Sequence, residues 1–396
     1  MPRQSSNPRT PAQLTVGALV LLFATQLVGC SADEPVAPPT TDATATADLT
    51  VPRSISIGAP RALPVPGNCL WAVPADIDDR NTVVGWADLC EDGRAHAVRW
   101  EASGSWSWLP EVDGASVLPI ALGRRGEVYA ETRVIAGAQQ QYVIIDARGG
   151  VTRLSLPPTS AWQYVTVGGP NRAGTFVLAD RAVYGGTQFY LWNGRGRREL
   201  IPPPPAGTSF EATGLNDHDV VVGTLTHEAG TGEAVTWSRR DGYRPLPPVG
   251  GATYAWGLAI DARDRVYGQS LLPPEPGCPF SDPGALTRRP TAWPGRDAGR
   301  LLQAAGPLCV ASVTYRDTRD DGIAVGDFYE RSAEEHNRAF VASAGGLFAL
   351  APCELGDETG SECHGSGINR GGLMVGLFIS ADHSRGTPVL WTVGTR

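Results

Sequence analysis

An Asx or Gly turn, a strand ending in Gly and a strand ending in Trp recur about every forty-five residues from Trp71 onward, and this repeat predicts an all-β fold, a seven-bladed β-propeller. Two further observations support it. The third strands end at a near-constant distance from the motif, and the last unit lacks a fourth strand that a segment ahead of the first unit can supply. Regular short strands between turn signals also mark β-sandwiches, but a sandwich leaves the spacing without a cause.

The clearest copies are DIDDRNTVVGW with AHAVRW, LNDHDVVVG with EAVTW, IDARDRVYG with PTAW, and INRGGLMVG with TPVLW. The second strands align at Gly85, Ala130, Leu178, Gly223, Gly268, Gly326 and Gly376. Fourteen or fifteen residues further on, third strands end at Trp100, Ile145, Trp192, Trp237, Val341 and Trp391, while an insertion in the fifth unit delays Trp293 to twenty-five. Seven residues before the aligned position stand Asp78, Gly123, Asn171, Asn216, Asp261 and Asn369, with Asp317 expected as the displaced equivalent in the sixth unit. These residues tolerate left-handed backbone and close local hydrogen bonds. Fourth strands are read in SWSWLPEV, RRELIPPPP and GYRPLPPVGG. PRALPVPG, residues 60 to 67, mimics the last of these, so the N-terminal strand is expected to complete the last blade and remove an open sheet edge.

AHAVRW and HNRAFV, with INRGGLMVG, resemble the HAF-type repeats of bacterial secreted proteins, whose units read "IN..G.VVG" followed by "HAF.W". The resemblance covers roughly residues 61 to 396 and is weakest in units two and three. It implies an extracellular β-propeller with no assigned reaction.

Arg3 and Arg9 precede the apolar stretch LTVGALVLLFATQL, which is too short for a comfortable membrane span and ends in LVGC. This pattern resembles a bacterial lipoprotein signal, residues 1–29, with Cys30 as the lipidated residue. Several acyl chains hold a protein stably where one is marginal. With Ser31 and Ala32 after the cysteine and no Asp immediately following it, an outer-membrane destination is expected, with a periplasmic or surface-exposed domain. Residues 30–53 lack any large aromatic and are rich in Pro, Thr and Ala, which predicts a disordered tether ahead of the 54–396 propeller domain.

The formal net charge is −8, and loss of Arg3 and Arg9 with the signal makes it more negative. All 33 basic residues are Arg. An acidic chain without a basic stripe is a poor partner for nucleic acid. The absence of Lys rules out a Schiff-base lysine or a P-loop lysine. No GxxxxGKS, strand-to-helix GxGxxG, GxSxG or HExxH appears, so no cofactor or metal is expected, and no catalytic residue can be named. The runs Asp76, Asp78, Asp79 and Asp317, Asp320, Asp321 lack the EF-hand pattern and its distal Glu, and read as Asx-turn chemistry.

Removing Cys30 from seven cysteines leaves six in an exported setting. Fifteen connectivities are open from sequence alone. The propeller arrangement puts all six on the face carrying the loops between second and third strands and between blades. It predicts Cys69 with Cys90, Cys278 with Cys309, and Cys353 with Cys363.

The same face holds two extended connections, residues 271 to 290 and 353 to 365, read as recognition elements. It also holds the beginnings of the innermost strands near Trp71, Trp162, Tyr164, Phe210, Tyr254 and Trp256, and the loop histidines His336, His364 and His383. Aromatic faces there can stack on a sugar or peptide side chain, although packing between blades uses the same residues. The reading is a ligand-binding or protein-interaction propeller for a glycan, peptide or protein. The competing class is an extracellular carbohydrate-active or other hydrolytic enzyme. The anchor is the sharper expectation: Cys30→Ser should abolish labelled fatty-acid incorporation and move the protein out of the membrane fraction, and unchanged acyl labelling would refute the site.

Overall fold

The turn motif closes the same hairpin in every unit. The computed structural model describes residues 54–132, 141–154, 163–182, 186–193, 197–273, 286–295, 298–304, 310–330 and 336–396, all within the unit Thr50–Arg396, so the signal, Cys30 and the tether lie outside the described residues. The amide of Asn81 donates to the Asp78 carbonyl, and the same bond runs from Gly126 to Gly123, Gly174 to Asn171, Asp219 to Asn216, Asp264 to Asp261, Gly322 to Arg319 and Gly372 to Asn369. Every donor in this set has positive φ, from 57° at Asp219 to 91° at Gly322. That region is open to Gly and tolerated by Asn and Asp, the three residue types at these seven turn positions. The sixth unit departs from the sequence expectation. Arg319, two residues after Asp317, opens its turn.

Among the described residues there is no helix, and the strands form seven antiparallel units. Their first strands are Trp71–Ile77, Val117–Leu122, Gln163–Gly168, Thr208–Leu215, Tyr254–Ile260, Val310–Arg319 and Glu358–Ile368. In unit 1 the order continues through Val83–Asp88, His96–Trp100 and Trp106–Trp108, each strand pairing with the next. Units 2 to 6 repeat this four-strand meander. Each first strand carries a β-bulge at the same point, at Pro74/Asp76, Pro119/Ala121, Thr166/Gly168, Ala212/Gly214, Gly257/Ala259, Tyr315/Asp317 and Gly365/Gly367. In five units the Gly of the motif lies against the bulged first strand. A Cβ on Gly85, Gly223, Gly268, Gly326 or Gly376 would collide with a first-strand carbonyl oxygen. Units 2 and 3 carry Ala130 and Leu178 there and bulge all the same, which nothing in the structure explains.

The last unit takes its outer strand from the N-terminal side. Arg61 and Ala62 pair antiparallel with Leu390 and Val389, and the Leu63 amide donates 2.8 Å to the Pro388 carbonyl. Further back, Ile55–Ile57 pairs with Val393–Thr395 at the far end of the same strand. The match between PRALPVPG and YRPLPPVGG holds residue by residue. Leu63 and Leu246 are both buried, and the carbonyls of Pro64 and Pro247 accept the indole N–H of Trp100 and Trp293, each at 2.8 Å. Pro352 does the same for Trp391 at 2.9 Å. Each of these Trp side chains is fully buried and hydrogen-bonds a segment belonging to the preceding unit. At these three positions the third-strand Trp is therefore a joint between units.

A second joint runs through the turns. In Asn171 the side-chain oxygen accepts two amides of its own turn, while Nδ2 donates to the Asn216 carbonyl at 3.0 Å and to Asp219 at 2.8 Å. Asn216 repeats this toward Asp261 and Asp264, and Asn369 toward Asp78 and Asn81 of unit 1. An Asp at this position has no donor to reach forward. An Arg of the same unit takes over: Arg99 donates to Gly126, and Arg265, held by Asp261 at 2.6 Å, donates to the Asp320 carbonyl.

Disulfides join Cys69 to Cys90 and Cys353 to Cys363, in the expected pairing, while Cys278 and Cys309 lie outside the described residues. Residues 353 to 365 are mostly strand, not the extended connection expected. Glu354–Leu355 and Glu358–Ile368 form a hairpin, and Cys363 is fully buried inside the unit's first strand. Leu63→Ala should cost about 2–5 kcal/mol, the range for a buried Leu truncation, comparable to its structural counterpart Leu246→Ala. Deleting residues 54–67 should lower the melting temperature further; unchanged thermal unfolding would contradict the latch.

Candidate functional site

The bulges and turns of all seven units converge on one cavity of about 690 Å³. A bulge re-aims side chains and ends regular pairing, which is why it recurs beside functional sites. The position just after the bulge is Asp76, Ala121, Gly168, Gly214, Ala259, Asp317 and Gly367 in the seven units. Five of these are Gly or Ala and permit close approach of the neighbouring unit; two are acids. Asp76 accepts the Ile77 amide at 2.7 Å and, across the joint, the Leu122 amide at 2.7 Å. Asp317 accepts from Thr318 at 2.7 Å and from Ile368 of the next unit at 2.9 Å. Both are partly buried in the cavity wall. Burial, then the Asp317 charge, pushes the Asp76 carboxyl up to about 8 against its backbone hydrogen bonds, and burial pushes Asp317 up to about 6.

The residue after each turn opener forms the rim: Asp79, Arg124, Arg172, Asp217, Ala262, Asp320 and Arg370. Arg172 spans from Asp217, at 3.0 Å, to Asp320, at 2.7 Å. Arg370 meets the same Asp320 oxygen at 3.0 Å and has Asp79 at 3.6 Å. Units 1, 3, 4, 6 and 7 are thus tied by charge across the mouth. Burial opposes the Asp320 charge, but the hydrogen bonds and charges of Arg172 and Arg370 outweigh it and hold its carboxyl below the ordinary range.

The aromatic and histidine residues proposed from sequence as ligand contacts lie elsewhere. None of the described ones lines this cavity. The Trp71 ring covers Gly386 and the Tyr254 ring covers Gly232, in each case on the preceding unit. Tyr254 also bonds Thr226 at 2.5 Å and packs 4.3 Å from Trp256, whose other neighbour is the Arg288 guanidinium at 4.9 Å. Phe210 is buried between Phe189 and Tyr243. Tyr164 belongs to the first strand of unit 3, and Trp162 lies outside the described residues. His336 begins a third strand. His364 has Glu362 at 3.1 Å and Asp327 at 4.0 Å; burial works against its charge, but these carboxylates raise it above the ordinary value. His383 sits in a tight turn with φ of 55°. Tyr254 and Trp256 are brought together. Cys90, Asp92 and His96 also cluster, but the Cys90 sulfur is in a disulfide and has no thiolate to give a metal.

The sequence alone marks Asp76, Asp79, Asp317 and Asp320 as Asx-turn residues and singles out neither Arg172 nor Arg370. A signal for the rim exists: six of the seven residues that follow the turn opener are charged.

No protein-family model and no curated protein matches the chain. Among solved structures it is similar to a chain from a study of two prolyl endopeptidases, with a TM-score of 0.51, 12% identity, and coverage of 83% of this chain and 51% of that one. It is also similar to TolB from Acinetobacter baumannii (TM-score 0.40, 8% identity, 81% and 63% covered) and to YCF48 bound to a D1 peptide (0.44, 10%, 86% and 100%). The chain thus spans only 63% and 51% of the TolB and prolyl endopeptidase chains. The fold is all-β and β-propeller-like.

The raised carboxyls have a consequence for stability. Asp76 and Asp317 ionise from 3.8 when unfolded, so the folded state holds more protons between that value and about 8 for Asp76, or about 6 for Asp317. Stability present at low pH is lost as pH rises through this window, and the raised His364 contributes with the same sign near neutrality. The melting temperature should fall from pH 5 to pH 8, and Asp76→Asn should flatten that slope. An unchanged slope in the variant would contradict the assignment.

Proposed function

We propose that the protein is a cell-envelope lipoprotein whose seven-bladed β-propeller binds a hydrophilic ligand at its central cavity without transforming it. One observation carries the reading: a turn from each of seven units meets at a single cavity of about 690 Å³. Closure of the ring is supported by Asn369, which makes to unit 1 the same forward bonds that Asn171 makes to unit 4. The N-terminal strand then acts as the latch of the last blade, and Cys278 with Cys309 is the third disulfide. The lipid on Cys30 holds the domain at the membrane, with recovery in the outer-membrane fraction as its test; glycans, peptides and proteins are the ligand classes. The Tyr254 and Trp256 pair, at the other end of the first strands, is a second contact surface.

A hydrolytic reading rests on Asp76 and Asp317, two carboxyl groups in the cavity wall whose burial favours the protonated form that general-acid chemistry needs. The mature protein screened on glycan and peptide arrays, with product analysis of every hit, separates the two. Binding without turnover supports the binding propeller. Product formation that disappears in Asp76→Asn or Asp317→Asn overturns it in favour of the enzyme.

A further inference from the structure

The geometry points to a carboxylate clamp at the cavity mouth, made by Arg172 and Arg370 and filled in the free protein by the chain's own Asp320. The inference rests on reading the cavity as the binding site and names the chemistry that site takes. Asp320 Oδ2 accepts from Arg172 Nη2 at 2.7 Å and from Arg370 Nη2 at 3.0 Å, and these arginines come from the third and seventh units while the acid comes from the sixth. One carboxylate oxygen shared by two guanidinium groups is how a ligand carboxylate would be held.

The arginines are held from behind. Arg172 Nε lies 3.0 Å from Asp217 and Arg370 Nε 3.6 Å from Asp79, and the main-chain amide of each donates to that same acid, at 2.8 and 2.9 Å. The two copies are equivalent by repeat position. Each guanidinium therefore keeps its Nη edge toward the mouth when Asp320 leaves.

Asp320 is anchored differently. Arg265, itself fixed by the buried Asp261, holds its main-chain carbonyl at 2.7 Å, whereas its carboxylate accepts from the two clamp arginines. A side-chain rotation is enough to vacate the clamp, with no movement of the turn. The three side chains are 36% to 52% exposed, so solvent screens the pairs and their exchange for another carboxylate is cheap. Rotation of Asp320 leaves the two guanidinium groups short of one negative charge, with the exposed Arg124 on the same rim. A ligand carboxylate restores the balance.

The wall below exposes more polar than apolar surface, with Thr213, Asn216 and Ser366 beside the small Gly214 and aliphatic Leu215 and Leu258, and burial favours the protonated form of the Asp76 and Asp317 carboxyls that share it. It suits a compact hydrophilic acid better than an apolar one. Two sources carry that chemistry, a uronic acid and an acidic amino acid, and both serve as probes.

Isothermal titration of the mature protein with sodium glucuronate and with N-acetylglutamate, at low and high salt, tests the clamp. Asp320→Asn removes the internal competitor and should bind at least one probe roughly tenfold more tightly than the unaltered protein, while Arg172→Gln combined with Arg370→Gln should abolish binding. Arg172→Lys keeps the charge but cannot engage Asp217 and a carboxylate together, so it should weaken binding in a form that needs no change at Asp320. Salt should weaken each interaction. Preference for glucuronate assigns the sugar acid, and preference for N-acetylglutamate the amino acid. Equal or weaker binding by folded Asp320→Asn, or unchanged binding by the double Gln variant, would overturn the clamp. Array ligands retained by the double Gln variant would overturn it too, while leaving the binding propeller intact.

Discussion

The joint between successive units is the constraint on which the structure depends. A four-stranded sheet has two faces to bury and little area of its own, so each unit is stable only with a neighbour against it. The chain builds that contact from two directional bonds. Deep in the interface, the indole N–H of Trp100, Trp293 and Trp391 meets a proline carbonyl of the preceding unit. At the turns, Asn171, Asn216 and Asn369 reach forward to the next unit. Proline carbonyls suit the first role because proline lacks an N–H and leaves the strand ladder early. Asparagine suits the second because its amide accepts within its own turn and donates outward at once.

The cavity follows from those joints. Holding turns in register places the residue after each opener at a common rim, and a bulge in each first strand bends the wall above it. Small residues after the bulge let the units approach. Asp76 and Asp317 break that pattern, and each satisfies an amide of the neighbouring unit. Their carboxyls thus serve packing and give the wall an acidic character that responds to pH.

The rim balances charge across units distant in sequence. Asp320 stands 148 residues from Arg172 in the chain, yet their side chains meet. Each clamp arginine is also held by the acid of the unit that follows it. Such an arrangement fixes the direction of the guanidinium groups in the free protein, the preorganisation that the proposed clamp requires.

Much of the fold was legible because its signals are local. A left-handed turn position admits Gly, Asn or Asp, a crowded strand crossing selects Gly85 or Gly223, and a buried joint selects Trp100 or Trp391. The latch was legible as well, since Leu63 and Pro64 repeat the pattern of Leu246 and Pro247. The site was not. Periodicity says that Trp71, Phe210 and Tyr254 share a level of the fold, but only tertiary packing decides that two of these rings cover glycines of the preceding unit and the third is buried. In the same way Arg172, Asp320 and Arg370 read as ordinary turn residues until three units are brought to one mouth. Sequence determines what each turn can form by itself; which charges then face one another depends on the register between units, a long-range property that no single motif contains.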